Sequence, residues 1–244
     1  LEPLVLIESY KPEDKMKKSS FSGFTLETLD FFNEILLNNN RPWFEENRGR
    51  YKNIVQALFL ELGHALEEPM SKIDPGFELR PEKIISRINR DVRFSRDKSP
   101  YRSNVWISYK RPQKEWMEAP AFFFELMPDS YRYGMGFYSA GKSTMDLFRQ
   151  EMADSEDEFL KIASSIKKKG IFSVEGEVYK RRIENTLPES LQEWYQKKNL
   201  YLMKTCDIGE ELFNGGIASI LSSGFKSLEA LYNFLWRIKL KEMR

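Results

Sequence analysis

The run Ala121-Phe122-Phe123-Phe124-Glu125-Leu126-Met127 limits more than any other what this chain can fold into. In an extended strand, Phe122, Phe124 and Leu126 share one face, while Ala121, Phe123 and Met127 share the other. A strand apolar on both faces belongs inside a sheet covered on both sides. Pro128-Asp129-Ser130 follows as a turn signal, and Tyr131 to Tyr138 returns as the partner strand. Gly134 and Gly136 fall at alternate positions of that second strand, which predicts that something packs closely against its backbone.

Strand composition also marks Lys83 to Ile88, Val105 to Tyr109 and Leu200 to Thr205. Helical patterns lie around and between these. Residues 25–38 put Leu29, Phe32 and Leu36 on one stripe behind Thr25 as N-cap, and Asn38-Asn39-Asn40 breaks the pattern. Pro42 opens a longer helix carrying Phe44, Tyr51, Val55, Leu58 and Leu62, which Pro69 to Gly76 is expected to end. Trp43-Phe44 reads as a core anchor. Ser143 is expected to cap residues 144–153, and Ser155 with Glu158 to form a capping box for a helix ending near Gly170. Glu151 to Glu158 reads as a solvated acidic turn, and 209–240 as two helices broken near Gly224. The expectation is an α+β fold: a predominantly antiparallel or mixed sheet flanked by helices, in a single compact domain over residues 21–244 after a polar tail at 1–20.

Composition excludes several function classes. At 41% hydrophobic and 14% aromatic, 244 residues can bury a sizeable core. The 38 basic residues against 37 acidic ones predict no general attraction to nucleic acid or to acidic membranes, so an electrostatic function has to come from local clustering. One cysteine, Cys206, cannot form an internal disulfide, and one histidine, His64, cannot build a histidine-rich metal site. Cys206 reads as a small core residue in a reducing compartment, and His64 as an ordinary helical histidine. No stretch approaches the roughly 18 apolar residues of a bilayer span, and Leu4 to Ile7 is too short for a signal peptide. Together these predict a soluble cytoplasmic protein with no metal, no membrane partner and only weak, non-specific nucleic-acid binding, through cations on phosphates and Tyr101, Trp106 or Tyr109 on bases; they name no cofactor and no oligomeric state.

The local cluster of highest charge is at 87–102, and Lys167-Lys168-Lys169 reads as a cationic helix C-terminus. Residues 87–102 carry six cations (Arg87, Arg90, Arg93, Arg96, Lys98, Arg102) against Asp91 and Asp97, a local charge of +4. In an extended conformation Arg87, Asn89, Asp91 and Arg93 line one face, and Ile88, Val92 and Phe94 the other. Arg90 then falls on the apolar face, where a guanidinium needs a carboxylate or an anionic ligand. Glu125, inside the apolar strand, is the expected partner of Arg90. One reading of the segment is an ion-pair network that fixes a turn between two strands. The other is a pocket for a phosphate- or carboxylate-bearing ligand, in an enzyme or a binding protein. Arginine forks would grip the anion, Asp91 and Asp97 would hold the forks, and Lys98, Asn89 and Tyr101 would add hydrogen bonds. A non-catalytic interaction module is the further alternative.

Phe21-Ser22-Gly23-Phe24, Asn39-Asn40 followed by Trp43-Phe44 and Tyr51, the run Arg87 to Tyr101, and Gly134-x-Gly136 together resemble the bacterial and fungal family catalogued as domain of unknown function 2461. The resemblance covers nearly everything after residue 20. It implies a fold and a segment of interest at 87–101, and no catalytic residues. The chain departs from the family at Arg182-Ile183-Glu184, where a Pro- and Gly-containing stretch is usual.

A second motif competes. Gly136-Phe137-Tyr138-Ser139-Ala140-Gly141-Lys142-Ser143 matches the phosphate-loop pattern G-x-x-x-x-G-K-[ST], after a predicted strand and before a predicted helix. Against a nucleotide site stands its position after the second arm of a hairpin, whereas phosphate loops follow a strand of a parallel sheet. A strand end, a glycine turn and a Ser143 cap account for the same letters.

Overall fold

The computed structural model describes residues 21–112, 119–137 and 139–242; the expected tail at 1–20 and Tyr138 lie outside them. Helix α1 (Leu26–Leu37) starts from Thr25, whose side chain and that of Thr28 close a capping box. Thr28 Oγ1 then donates to the Ile54 carbonyl at 2.6 Å, fixing α1 against the next helical segment. Asn40 caps α2 (Arg41–Arg50) by accepting from the Trp43 N–H, with Pro42 in the first turn where its missing donor costs nothing. One wide π-helical turn (Tyr51–Gln56) leads into α3 (Ala57–Ile73). Pro69 lies inside α3, which runs on to Ile73 and ends within the expected Pro69–Gly76 stretch. Residues expected to begin a strand at Lys83 instead form the short α4 (Pro81–Ile84), since Pro81 is already set for a helical first turn.

Strands β1 (Val105–Tyr109), β2 (Pro120–Leu126) and β3 (Ser130–Phe137) form an antiparallel meander. Helices α5 (Lys142–Asp154) and α6 (Glu156–Lys169) follow, then β4 (Ser173–Glu175), α7 (Glu189–Tyr195) and β5 (Tyr201–Asp207). Strand β5 inserts between β3 and β4, giving the order β1-β2-β3-β5-β4 with every pair antiparallel. Helices α8 (Gly216–Ser227) and α9 (Glu229–Glu242) close the chain.

The register puts Phe122 opposite Tyr109 and Met135, and Phe124 opposite Ile107 and Tyr133, all buried on one face. Helices cover that face: Phe225 of α8 and Tyr232 of α9 lie 5.3 and 5.4 Å from the Phe122 ring, and Phe59 of α3 lies 6.1 Å from Phe124. Each such ring contributes about 1.5–3 kcal/mol by leaving water. The opposite face corrects the expectation of a sheet covered equally on both sides. Trp106, Phe123, Tyr201 and Met203 stay partly exposed there, since α3, α8 and α9 pack their rings on the Phe122–Phe124 face instead.

Those two glycines do answer a close approach, and the neighbour is β5. A Cβ on Gly134 would stand 1.8 Å from the Leu202 carbonyl oxygen, and one on Gly136 2.4 Å from that of Leu200. Gly224 has a related role. It lies inside α8, where a Cβ would meet the Tyr133 ring at 2.7 Å, and the break between α8 and α9 falls at Leu228. Ser155 starts α6 without a side-chain cap, and Gly170 ends it in the left-handed conformation. Glu151 is buried against Lys241 and Arg237, not solvated as its acidic surroundings suggested.

Candidate functional site

Residues 85–107 form a hairpin-like excursion at the β1 edge of the sheet. Ile85 bridges Ile107, Asn89 bridges Tyr101, and the Arg102 N–H donates to the Ile88 carbonyl at 2.8 Å. Residues 91–99 make the loop beyond this pairing. Its base is bolted to the helices by residues distant in sequence. The Asn39 side chain donates to the Tyr101 carbonyl and accepts from the Tyr101 N–H, both at 3.0 Å. The Tyr101 ring, only 5% exposed, stacks on Phe44 at 4.1 Å, and Phe44 contacts Tyr51 at 5.7 Å.

The loop spends most of its charge on itself. Arg90 pairs with Asp97, which also accepts from the Ser99 N–H and hydroxyl. Arg93 forks onto Asp91 at 2.6–2.9 Å, and Lys98 Nζ donates to the Val92 carbonyl at 2.9 Å. The Arg93 hydrogen bonds hold the Asp91 carboxyl down at about 2, and the Ser99 and Arg90 donors hold Asp97 well below the carboxylate range. The expected Arg90–Glu125 pair does not form. Glu125, 8% exposed on β2, accepts from Arg132 Nε at 2.5 Å and from Asn104. Arg132 is its direct cross-strand neighbour, so the nearer cation wins.

Four cations of the segment, Arg87, Arg96, Lys98 and Arg102, have no carboxylate among the described residues. Arg87 and Arg96 are exposed and make no side-chain hydrogen bond, ion pair or ring contact there, and Asn89 is exposed as well. Arg102 differs from both. Its guanidinium lies 4.8 Å above the Trp106 ring, and its Nε is buried with no hydrogen-bond acceptor. Immediately after it, Ser103 and Asn104 enter an open groove of about 450 Å³ whose walls include Asn33, Leu36, Glu125, Asp129 and Arg132.

Of the sequence-predicted residues, the structure joins Arg90 to Asp97 and Arg93 to Asp91, buries Tyr101 as an anchor, and leaves Arg87 and Asn89 in solvent. Sequence reasoning missed Arg102 as the cation with a buried donor and no acceptor, and missed Asn104 and Arg132. Counting outward from the Pro128–Ser130 turn pairs Glu125 with Arg132 and would have found the second of these.

The phosphate-loop letters fall between β3 and α5. Strand β3 is antiparallel to both of its neighbours. Lys142 is bound to Asp146 one turn on, at 2.5 Å, and the Ser143 and Thr144 hydroxyls donate to Glu242 at 3.0 and 2.8 Å. The lysine and hydroxyl that would meet phosphate and magnesium are thus engaged within the protein. His64 is exposed on α3 beside Glu67. Among the described residues no His, Cys, Asp and Glu side chains cluster as a metal site, and no helix is long and apolar enough to cross a membrane.

A protein-family model described as "Conserved hypothetical protein (DUF2461)" matches residues 27–234, which takes in the Asn39–Tyr101 clamp, the basic hairpin and the whole sheet. No curated protein matches the chain.

Proposed function

The chain belongs to the DUF2461 family of conserved hypothetical proteins, and from that starting point we propose that it binds a small phosphate- or carboxylate-bearing ligand at the base of the 87–102 hairpin. The observation that carries this reading is Arg102. A guanidinium stacked on Trp106, with a buried donor and no acceptor, is a cation set for an anion the protein does not itself supply. Arg87 and Asn89, on the facing strand, are exposed and have no side-chain hydrogen bond or ion pair among the described residues. The Arg90–Asp97 and Arg93–Asp91 pairs hold the loop in shape. The adjoining groove, with Asn104, Asp129 and the Glu125–Arg132 pair, would take the polar body of the ligand. The unpaired thiol of Cys206 fits a reducing, cytoplasmic setting.

Thermal unfolding with a panel of sulfate, phosphate and phosphorylated metabolites tests the reading. A ligand at about 100 times its Kd stabilises the folded state by about 2.7 kcal/mol, and Arg102→Ala should abolish that shift. If no anion moves the wild-type midpoint, the hairpin is scaffolding alone.

A further inference from the structure

Two of the most exposed apolar side chains belong to segments joined at one place. Phe94, 95% exposed, is in the basic loop, and Leu37, 86% exposed, ends α1 beside the also exposed Leu36. Asn39, two residues after Leu37, clamps Tyr101 at the loop's base. Around the loop lie Arg87, Arg93, Arg96, Lys98 and Arg102, in a segment whose local charge is +4 while the chain as a whole carries +1. A soluble loop gains nothing by holding a phenyl ring almost wholly in water, with a guanidinium 5.8 Å from its centroid.

We propose that this surface docks the protein on an anionic phospholipid bilayer, with a lipid headgroup as the anion taken at Arg102. This rests on the anion-site reading above and names the source of the anion. An interfacial anchor needs apolar groups that enter the headgroup layer and cations that stay at its level. Phe94, Leu36 and Leu37 supply the first, and the hairpin cations the second. The same features fit nucleic acid poorly. Stacking on a run of bases needs several open aromatic faces, and beside the exposed Phe94 the hairpin offers none among the described residues: Tyr101 is stacked on Phe44, Tyr109 is buried and Trp106 carries Arg102. Leucine side chains cannot replace them.

The test is sedimentation of the purified chain with phosphatidylcholine vesicles, with and without about 30% phosphatidylserine, beside thermal unfolding in inorganic phosphate. Binding should require the anionic lipid and weaken as salt is raised. Arg93→Gln with Arg96→Gln should reduce it about 25-fold, two steps of about fivefold each. Phe94→Ser should also reduce it, while leaving the phosphate-induced shift of the unfolding midpoint intact. Phosphate stabilisation without vesicle binding, or vesicle binding indifferent to Phe94→Ser, overturns the lipid inference and leaves the anion site standing. Vesicle binding indifferent to Arg102→Ala, with no phosphate shift, removes the anion site and with it the headgroup assignment. A single-stranded oligonucleotide that binds more tightly than the vesicles and displaces them also overturns it.

Discussion

Glu125 and Arg132 face each other directly across the β2–β3 pair, with the guanidinium Nε 2.5 Å from the carboxylate, and this neighbour relation decides what Arg90 does instead. With Glu125 taken, Arg90 turns to Asp97 in the loop, where both side chains remain in partial contact with water. The two pairs look alike in sequence and differ in energetic weight.

Arg132→Ala should therefore cost about 1–3 kcal/mol, because it strips a buried carboxylate of a charged donor while Asn104 still serves it. Arg90→Ala should cost less than about 1 kcal/mol, as expected of a solvent-screened pair. Urea unfolding of the two variants ranks them, and a larger loss for Arg90 would mean that Asp97 is not its partner in solution.

The sheet was legible because its signals are local: period-two apolar residues, the Pro128–Ser130 turn, and the alternate glycines. Lys83 to Ile88 failed for a local reason too, since Pro81 starts a helical turn just before it. The unequal sheet faces were not legible, because both Phe122 and Phe123 are apolar and only the helices' placement separates them. The candidate site was half legible. Charge clustering located the hairpin, but which cation stays unpartnered depends on long-range geometry: Asn39 clamping Tyr101, and Trp106 lying under Arg102.

The pH dependence should have an acid limb set by Asp74. Burial works to raise this carboxyl, but the Arg111 fork at 2.7 and 2.8 Å, the Tyr232 hydroxyl and the Gly76 N–H outweigh it and hold it below its ordinary value. A depressed folded-state pKa gives stability that is complete above the unfolded value, about 3.9, and is lost as pH falls through the folded one. Asp74→Asn should cost about 2–3 kcal/mol at pH 7, under the 3–5 of a dry pair because Arg111 is partly exposed. It should also flatten the decline in stability below pH 4. Denaturant midpoints from pH 7 to pH 3 test both; an unchanged acid limb would remove Asp74 from this role.

Gly134→Ala and Gly224→Ala should separate by the kind of atom each new methyl meets. At 224 it meets the edge of the Tyr133 ring, which can shift, so a loss of about 1–3 kcal/mol is expected. At 134 it meets a backbone carbonyl that is part of the β3–β5 ladder, and pairing of β5 should fail outright. Circular dichroism and soluble yield distinguish the two, and equal behaviour would argue that β5 can move away from β3.

Lys142→Ala should leave nucleotide affinity unchanged, although Lys142 is the signature residue of the phosphate-loop letters. In a working phosphate loop the lysine reaches the terminal phosphates, the next hydroxyl holds magnesium, and the backbone N–H groups cradle the anion at the end of a parallel strand. Here Lys142 is exposed and bound to Asp146, as an ordinary helix-surface pair four residues apart. The Ser143 and Thr144 hydroxyls tie the start of α5 to Glu242 at the end of α9, and the strand before them is antiparallel on both sides. Titration with fluorescent ATP and GTP analogues, with and without magnesium, checks the point against Arg102→Ala. Magnesium-dependent binding that disappears in Lys142→Ala and survives in Arg102→Ala would favour a site at the start of α5 over the one proposed at the hairpin.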